Sequence, residues 1–382
     1  MEHRLDHIDA IRAFAAVSVL VEHFYAAPSI ASGHTWAQSV VAGLDLGRIG
    51  VVVFFLISGF VIPFSLKKNR HLGDFWVKRV TRLYPAYWIS LILAVVLQSV
   101  VSREAIGGAQ ALANATMLQN FFHYENVLGV YWTLKLELVF YVMAYGLFLF
   151  GLIDSAFALA AISGGLFCVF LLYLDYWTNV TAIGHHIAAA LHLGGAIASS
   201  TGAAGNHPIP GILNMNWGNF CAYFSAMFLG ACLRRWSEGK LRTAGKMAIG
   251  LLCFGWLVLL PAMGIVCYLK TQDIGLFSMY GSWATALALF LLLAFVTPVR
   301  SKVLAWIGLC SYSLYLLHSM VIDLLLSSPP FAAPHAFSPL LMLVVCIAIS
   351  LAVAHVSYFL VEKPAMRFGR SVARRLERGA TT

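Results

Sequence analysis

Long apolar segments recur along this chain and are separated by short polar segments. Ten of them are about 20 residues long, the length that an α-helix needs to cross the hydrocarbon core of a bilayer. The pattern therefore predicts an all-α fold, a polytopic bundle of about ten transmembrane helices. The predicted spans are 8–27, 47–66, 85–102, 131–150, 155–174, 217–233, 247–267, 279–297, 303–325 and 339–361.

The segment 175–216 does not fit this pattern. Its stretch 181–199 is moderately apolar, but three histidines interrupt it. An eleventh span here would reverse the orientation of every later helix. We therefore expect a re-entrant or surface-lying helix on the outer side. The three histidines lack a further ligand at the spacing of a metal site, so no metal is expected.

The distribution of basic residues predicts the orientation of the bundle. Twenty of the 25 lysines and arginines fall in five segments that a ten-span chain places on one side, together with both termini. By the positive-inside rule this side is cytoplasmic. The net charge of +9 then reflects topology and attraction to the lipid bilayer, and nucleic acid is not an expected partner. The five basic segments are 1–7, 67–82, 234–246, 298–302 and 362–382.

Composition agrees with a membrane protein. Hydrophobic residues make up 60% of the chain and charged residues 11%, whereas a soluble protein carries about 25% charged residues. The seven cysteines are scattered through apolar spans without a CxxC pair, so we expect neither a disulfide framework nor a zinc site. The chain divides into a transmembrane domain over 1–361 and a short basic cytoplasmic tail over 362–382.

Two ionisable residues lie inside the first span. Arg12 and His23 are eleven residues apart, which places them on one face of a helix, about 16 Å apart along its axis. Ionisable groups within a membrane usually face the bundle interior or a wet cavity. A cation near the inner mouth and an imidazole deeper in the membrane indicate a site that is reached from the cytoplasm.

The basic segment 67–82 is predicted to hold a short amphipathic helix before the third span starts at Tyr84-Pro85. Arg79 and Arg82 are three residues apart and so neighbours on one helix face. One interpretation is an anchor for anionic lipid. The other is a phosphate clamp, because paired guanidinium groups bind phosphates bidentately.

An acidic residue, Glu137, lies six or seven positions inside the fourth span. Counting along the spans puts it at about the depth of His23, where a carboxylate could hold the histidine tautomer and raise its basicity. The alternative is a structural partner for Lys135 or Arg48. A second histidine, His318, lies at comparable depth in the ninth span and is either a packing residue or part of the site.

Small residues accompany these positions in the second span. Gly50, Ser58 and Gly59 either allow close helix packing or line an active cavity.

Taken together, these segments resemble the membrane-bound acyltransferase-3 family over essentially the whole chain. Any one of the five motifs would be weak evidence, but five in the same order are specific. They are Arg12-x10-His23, the stretch 54–60 with Ser58, Arg79-x-x-Arg82 followed by Leu83-Tyr84-Pro85, Trp132-Thr133-Leu134 with Glu137 and Phe140-Tyr141, and Ser311-Tyr312-Ser313-Leu314-Tyr315 with His318.

The resemblance implies an O-acyltransferase that takes its acyl group from cytoplasmic acyl-CoA. Acetyl-CoA is the commonest donor in the family, and succinyl or longer groups also occur. The implied acceptor is a hydroxyl of a cell-surface or exported glycan, or of a lipid-linked saccharide. The expected location is the bacterial cytoplasmic (inner) membrane, with polysaccharide assembly machinery as a further partner.

The resemblance also implies that His23 acts in the transfer and that Arg12, Arg79 and Arg82 bind the donor. Our hypothesis is that His23 is the general base, oriented by Glu137 as the second catalytic residue. A transient acyl-imidazole remains the alternative chemistry. Supporting roles are assigned to Ser58, Tyr84 and His318.

Two other classes of function remain open at this point. Buried Arg, His and Glu also suit a proton-coupled transporter or flippase of a glycan or lipid-linked precursor. Against transport, the sequence has neither a detectable inverted repeat nor paired broken helices. A non-catalytic scaffold for a polysaccharide synthase is the third class.

Overall fold

The structure is a computed structural model, and it describes residues 6–27, 30, 36–68, 72–102, 106–190, 217–239, 241–328 and 337–379. Within these ranges the protein is helical and contains no strand. The helices used below are α1 (Asp6–Ala26), α2 (Trp36–Leu44), α3 (Leu46–Lys68), α4 (Leu72–Leu97), α5 (Gly108–Ala115), α6 (Trp132–Leu149), α7 (Ala156–Ala190), α8 (Trp217–Ser237), α9 (Thr243–Phe254), α10 (Leu260–Thr271), α11 (Ile274–Leu291), α12 (Lys302–Leu309), α13 (Ser311–Ser327), α14 (Pro339–Ser357) and α15 (Lys363–Gly379).

Several of these helices are long and apolar enough to cross a bilayer. Seven meet this description among the described residues, and α12 with α13 would make an eighth as one bent span. The expected multi-pass helical bundle is therefore confirmed. The number of ten spans and the cytoplasmic location of both termini stay predictions. The helix α1 lies outside the seven because it carries four charged residues: Asp6, Asp9, Arg12 and Glu22.

The helix α8 lies at the centre of the bundle, against α3 and α7. Every residue from Cys221 to Leu233 is buried, as expected for a helix that is apolar all round. The backbones of α3 and α8 touch where they cross. A Cβ added at Gly59 would overlap the carbonyl oxygen of Met227, and one added at Gly230 would overlap that of Leu56. The crossing therefore requires glycine on both helices.

Replacing Gly230 by alanine is expected to force α3 and α8 apart and to destabilise the fold by about 1–3 kcal/mol or more. The measurement is the melting temperature of the purified protein in detergent. Gly250→Ala in α9 is the matched control, because open space surrounds that position. An unchanged melting temperature for Gly230→Ala would show that the crossing does not depend on glycine.

The third predicted span is wrong in its start, because α4 begins at Leu72 and not at residue 85. Pro85 lies inside this helix and does not end it. The basic stretch 72–82 is therefore the first part of this long helix and not a separate short helix. It carries Arg79 and Arg82 into the bundle.

The segment 106–128, which connects the third and fourth predicted spans, folds back along α4. The hydroxyl of Tyr84 donates to the carbonyl of Thr116 (3.1 Å), and the amide of Gln98 donates to that of Val127 (2.8 Å). Tyr84 and Gln98 are about 21 Å apart along the helix axis. This part of the chain therefore lies along about half the length of α4.

Two further boundaries differ from the prediction. The ninth span is broken, since α12 and α13 meet at an angle of 71°. The helix α7 runs without a break to Ala190, so the described part of 181–199 extends the fifth span instead of forming a separate helix. The remainder, 191–216, lies outside the described residues.

The basic tail is helical and packed against the bundle. A Cβ at Gly369 of α15 would overlap the hydroxyl of Thr81 in α4. Glu362, placed by the prediction at the start of the tail, is only 3% exposed and lies within the bundle. The predicted tail therefore packs against the transmembrane domain and is not separated from it at residue 362.

Candidate functional site

A cavity of about 90 Å³ opens between α1, α3, α4, α6 and α13. That volume holds several water molecules. Arginine, glutamate, serine, threonine and tyrosine side chains contribute to its wall beside apolar ones. The polar lining residues are Arg12, Ser58, Arg79, Arg82, Thr133, Glu137, Tyr141, Ser311, Tyr312 and Tyr315. The cavity is therefore a polar compartment inside an apolar bundle.

Three arginines from two helices meet in this cavity. Arg12 comes from α1, one helical turn after Asp9, and forms an ion pair with it (Nη1 to Oδ1, 2.7 Å). Arg79 and Arg82 come from α4, and Arg82 interacts electrostatically with Arg12. Carboxylates offset this charge: Glu137 interacts with all three guanidinium groups, and Arg82 also interacts with Asp9 and Glu362.

Arg79 is held from several directions. Its guanidinium group lies over the rings of Phe75 (5.4 Å) and Tyr141 (5.5 Å), and its Nη2 donates to the hydroxyl of Ser65 (2.6 Å). Its Nε is buried without a hydrogen-bond partner. A buried donor of this kind is unfavourable unless a ligand or water supplies an acceptor. The geometry therefore fits a cavity that receives an anionic or carbonyl-bearing ligand.

Glu137 lines the cavity that holds Arg12, Arg79 and Arg82, which is named the arginine cavity. Its hydrogen bonds are made there and not with His23. The hydroxyl of Tyr141, one turn further along α6, donates to its Oε1 in a short hydrogen bond. Ser58 donates to the same oxygen at 3.5 Å, a long contact. The expected orientation of His23 by Glu137 is therefore not formed. Depth counted along the sequence is uncertain by several residues, which is enough to move a side chain from one site to another.

His23 instead meets a second histidine. Its Nδ1 lies 2.8 Å from Nε2 of His318, with the ring centroids 5.0 Å apart. His318 is 1% exposed, and its Nδ1 lies 3.1 Å from the carbonyl oxygen of Leu314 on the same helix. His23 is exposed. The pair thus has one buried and one accessible imidazole.

Tyr315 lies between the cavity and the histidine pair. It lines the cavity, and its ring centroid is 5.9 Å from that of His318. Its hydroxyl is fixed by the hydroxyl of Thr133 (2.9 Å) and the carbonyl of Val130 (3.1 Å). The helix α1 also reaches both places, because Arg12 lines the cavity and His23 belongs to the histidine pair.

The break between α12 and α13 is stabilised by Glu362. Its carboxylate accepts the backbone N–H of Ser313 (3.1 Å) and the hydroxyl of the same residue. A carboxylate is favourable at a helix N-terminus because it satisfies unpaired N–H groups and complements the helix dipole. This cap fixes the start of the helix that carries Ser311, Tyr315 and His318.

The structure thus brings Arg12, Arg79 and Arg82 together with Ser58 and Glu137. It places His23 with His318 at a second location. Tyr84 lines neither, because its hydroxyl bonds to the 106–128 segment. Four further residues of the site, Asp9, Tyr141, Tyr312 and Tyr315, had no predicted role. For Asp9 and Tyr141 a signal was present, because they lie three residues from Arg12 and four from Glu137.

Comparison with known protein families gives one match over most of the chain. The profile of the acyltransferase domain family matches residues 5–359. No solved structure matches the chain.

Individual relatives match over shorter stretches. Acyltransferase MdmB of Streptomyces mycarofaciens is 24% identical over 147 residues, which cover 36% of this chain and 38% of the relative. Nodulation protein 10 of Rhizobium leguminosarum bv. viciae is 28% identical over 166 residues, 37% of this chain and 44% of the relative. Peptidoglycan O-acetyltransferase OatA of Listeria monocytogenes is 28% identical over 156 residues, 36% of this chain and 23% of the relative. The match thus spans less than half the length of each relative.

Proposed function

This chain belongs to the acyltransferase domain family, and from that premise we propose that it is an integral membrane O-acyltransferase. The family expected from the five sequence motifs is thereby confirmed. The proposed reaction moves an acyl group, most simply acetyl, from acyl-CoA to a hydroxyl of a cell-surface or exported glycan. A bacterial cytoplasmic membrane is the proposed location, and the relatives whose names include O-acetyltransferase support the acetyl group.

One observation carries the proposal: the arginine cavity and the histidine pair are joined by the same two helices. The helix α1 supplies Arg12 and His23, and α13 supplies Tyr315 and His318. A long thin donor such as acyl-CoA needs both a site for its phosphates and a reacting centre at a distance. Three arginines with a free donor at Arg79 Nε suit the phosphates, because guanidinium groups bind them with charge-assisted hydrogen bonds.

In the proposed reaction His23 acts at the thioester end. Its imidazole removes the proton of the acceptor hydroxyl while the hydroxyl oxygen bonds to the thioester carbon. The carbon–sulfur bond then breaks, and the proton returns from the imidazole to the thiolate of CoA. Attack by His23 itself, giving an acyl-imidazole, leads to the same products.

Glu137 has a different proposed role from the one that the sequence indicated. It balances the charge of Arg12, Arg79 and Arg82 while no donor is bound, because three partly buried cations without a counter-charge are unfavourable. Its hydrogen bond from Tyr141 holds the carboxylate in place. Glu137 is therefore a positioning residue for the donor site.

The test is donor dependence in purified protein. Protein in nanodiscs, mixed with acetyl-CoA and a glycan extract, should release free CoA thiol and leave an O-acetyl group that mass spectrometry detects. The identity of the acceptor follows from comparing surface glycans of a deletion strain with those of its parent. If reconstituted protein moves glycan across vesicles without consuming any acyl-CoA, the acyltransferase proposal fails and transport replaces it. The comparisons give no support to transport.

A further inference from the structure

We propose that His318 is a positioning residue that sets the tautomer of His23 and leaves Nε2 of His23 free to react. The inference rests on the proposed acyl transfer for its consequence, although the tautomer itself can be measured without any activity. In this proposal the neutral imidazole of His318 orients His23, the role that the sequence had indicated for the carboxylate of Glu137.

The first step concerns the proton on His318. Its Nδ1 lies 3.1 Å from the carbonyl oxygen of Leu314. A carbonyl oxygen only accepts hydrogen bonds, so Nδ1 of His318 must carry the hydrogen. His318 is 1% exposed, and its polar neighbours are main-chain carbonyls and His23. A buried charge without an opposite partner is strongly unfavourable, so the ring is neutral and its Nε2 has a lone pair.

The second step concerns the proton on His23. Nε2 of His318, having no hydrogen, can only accept, so the hydrogen in the 2.8 Å contact belongs to Nδ1 of His23. The contact between the two rings therefore assigns the hydrogen of His23 to Nδ1.

The third step concerns the free nitrogen. A neutral imidazole carries one hydrogen, so Nε2 of His23 has an unshared pair. His23 is exposed whereas His318 is buried, so the open side of the histidine pair is at His23. A hydrogen-bond relay thus runs from the carbonyl of Leu314 through the rings of His318 and His23 and ends at Nε2 of His23. The helix α13 holds its inner end rigidly, since Leu314 and His318 are one turn apart.

The relay has a chemical consequence for the transfer. When Nε2 of His23 takes the hydroxyl proton, the ring becomes positive, and its Nδ1–H bond to His318 becomes a charge-assisted hydrogen bond. This bond is stronger in the charged state than in the resting state, so His318 lowers the barrier to proton removal. Without His318 the ring can rotate or change tautomer, and fewer molecules present a free Nε2.

Two substitutions separate this role from simple packing. His318→Leu keeps the bulk of the side chain and removes the acceptor, while His318→Gln keeps an amide oxygen at a similar reach. We expect His318→Leu to lower kcat for acyl transfer by about 100-fold or more, the range for a general base that is out of position, with KM for acyl-CoA unchanged. His318→Gln should restore at least a tenth of the activity. Equal kcat values for His318→Leu and wild type would overturn the proposal.

Nitrogen-15 NMR of histidine-labelled protein in nanodiscs reads the tautomer directly. The His23 signals are assigned by their loss in His23→Ala. We expect wild-type His23 to show a protonated Nδ1 and a bare Nε2, and His318→Leu to show a mixture. A wild-type spectrum with the hydrogen on Nε2 would overturn the inference even if the protein transfers acyl groups. Absence of transfer with any acyl-CoA would instead overturn the proposed function, and the spectrum would still decide the tautomer.

Discussion

Replacing His23 by alanine is expected to lower kcat for acyl transfer by about 10²- to 10⁴-fold, the contribution typical of a general acid–base group. Membrane insertion and folding should be retained, because the His23 side chain is exposed and its replacement removes a single hydrogen bond, the one to His318. The measurement is thiol release from acetyl-CoA by purified protein in the presence of acceptor. Donor affinity should also be retained, since Arg12 lies about 16 Å away along α1 and Arg79 and Arg82 lie on α4.

His355→Ala is the matched control for this variant. His355 is another histidine of the membrane bundle, on α14, where its Nδ1 accepts the indole N–H of Trp306 (3.0 Å). It contacts neither the cavity nor the histidine pair, so its replacement should leave kcat within a few fold of wild type. A His23→Ala protein that inserts normally and transfers acyl groups at the wild-type rate would exclude His23 from the chemistry.

Replacing Arg79 by glutamine is expected to weaken acyl-CoA binding by about 10- to 100-fold, which corresponds to one hydrogen bond between charged groups. Arg82→Gln should have a similar effect, and both should raise KM more than they lower kcat. Arg79→Lys should not restore binding, because lysine lacks the planar fork that stacks on Phe75 and Tyr141. Isothermal titration with CoA measures the binding, and thiol release measures KM.

Arg234→Gln is the matched control for the arginine variants. Arg234 on α8 also stacks on two rings, those of Phe60 (5.2 Å) and Phe64 (4.3 Å), and pairs with Glu238. It does not line the cavity, so its loss should leave the affinity for CoA unchanged. If Arg234→Gln weakens CoA binding as much as Arg79→Gln does, the cavity is not the donor site.

The helical bundle and the family followed from local features of the sequence. Hydropathy reports whether a segment is apolar enough to cross a membrane, and the five motifs are read directly along the chain. Boundaries were less certain where a helix contains a residue that usually ends one. Pro85 lies inside α4, and the neighbouring helices of a membrane bundle can tolerate such a break in hydrogen bonding. Pro85 was taken as the start of a span, and Arg79 and Arg82 were therefore assigned to a separate short amphipathic helix before it.

The candidate site was only partly predictable for a related reason. The residues that differ from an apolar background were all visible: Arg12, His23, Arg79, Glu137 and His318. Their grouping was not, because each residue turns the side chain by about 100° around a helix axis and moves it about 1.5 Å along that axis. An error of two residues in a span boundary is enough to pair a carboxylate with the wrong neighbour.

The sequence by itself determined that this protein is a polytopic helical membrane protein of an acyltransferase family, with ionisable residues on one face of its first helix. Only the tertiary structure decided that Glu137 joins the arginines and that His318 meets His23. The sequence could determine the class and the helix face because hydropathy and the helical repeat act within one helix. The groupings of side chains depend instead on contacts between helices. Those contacts follow from the rotation, depth and bending of each helix, which are set by packing at positions such as Gly59 and Gly230.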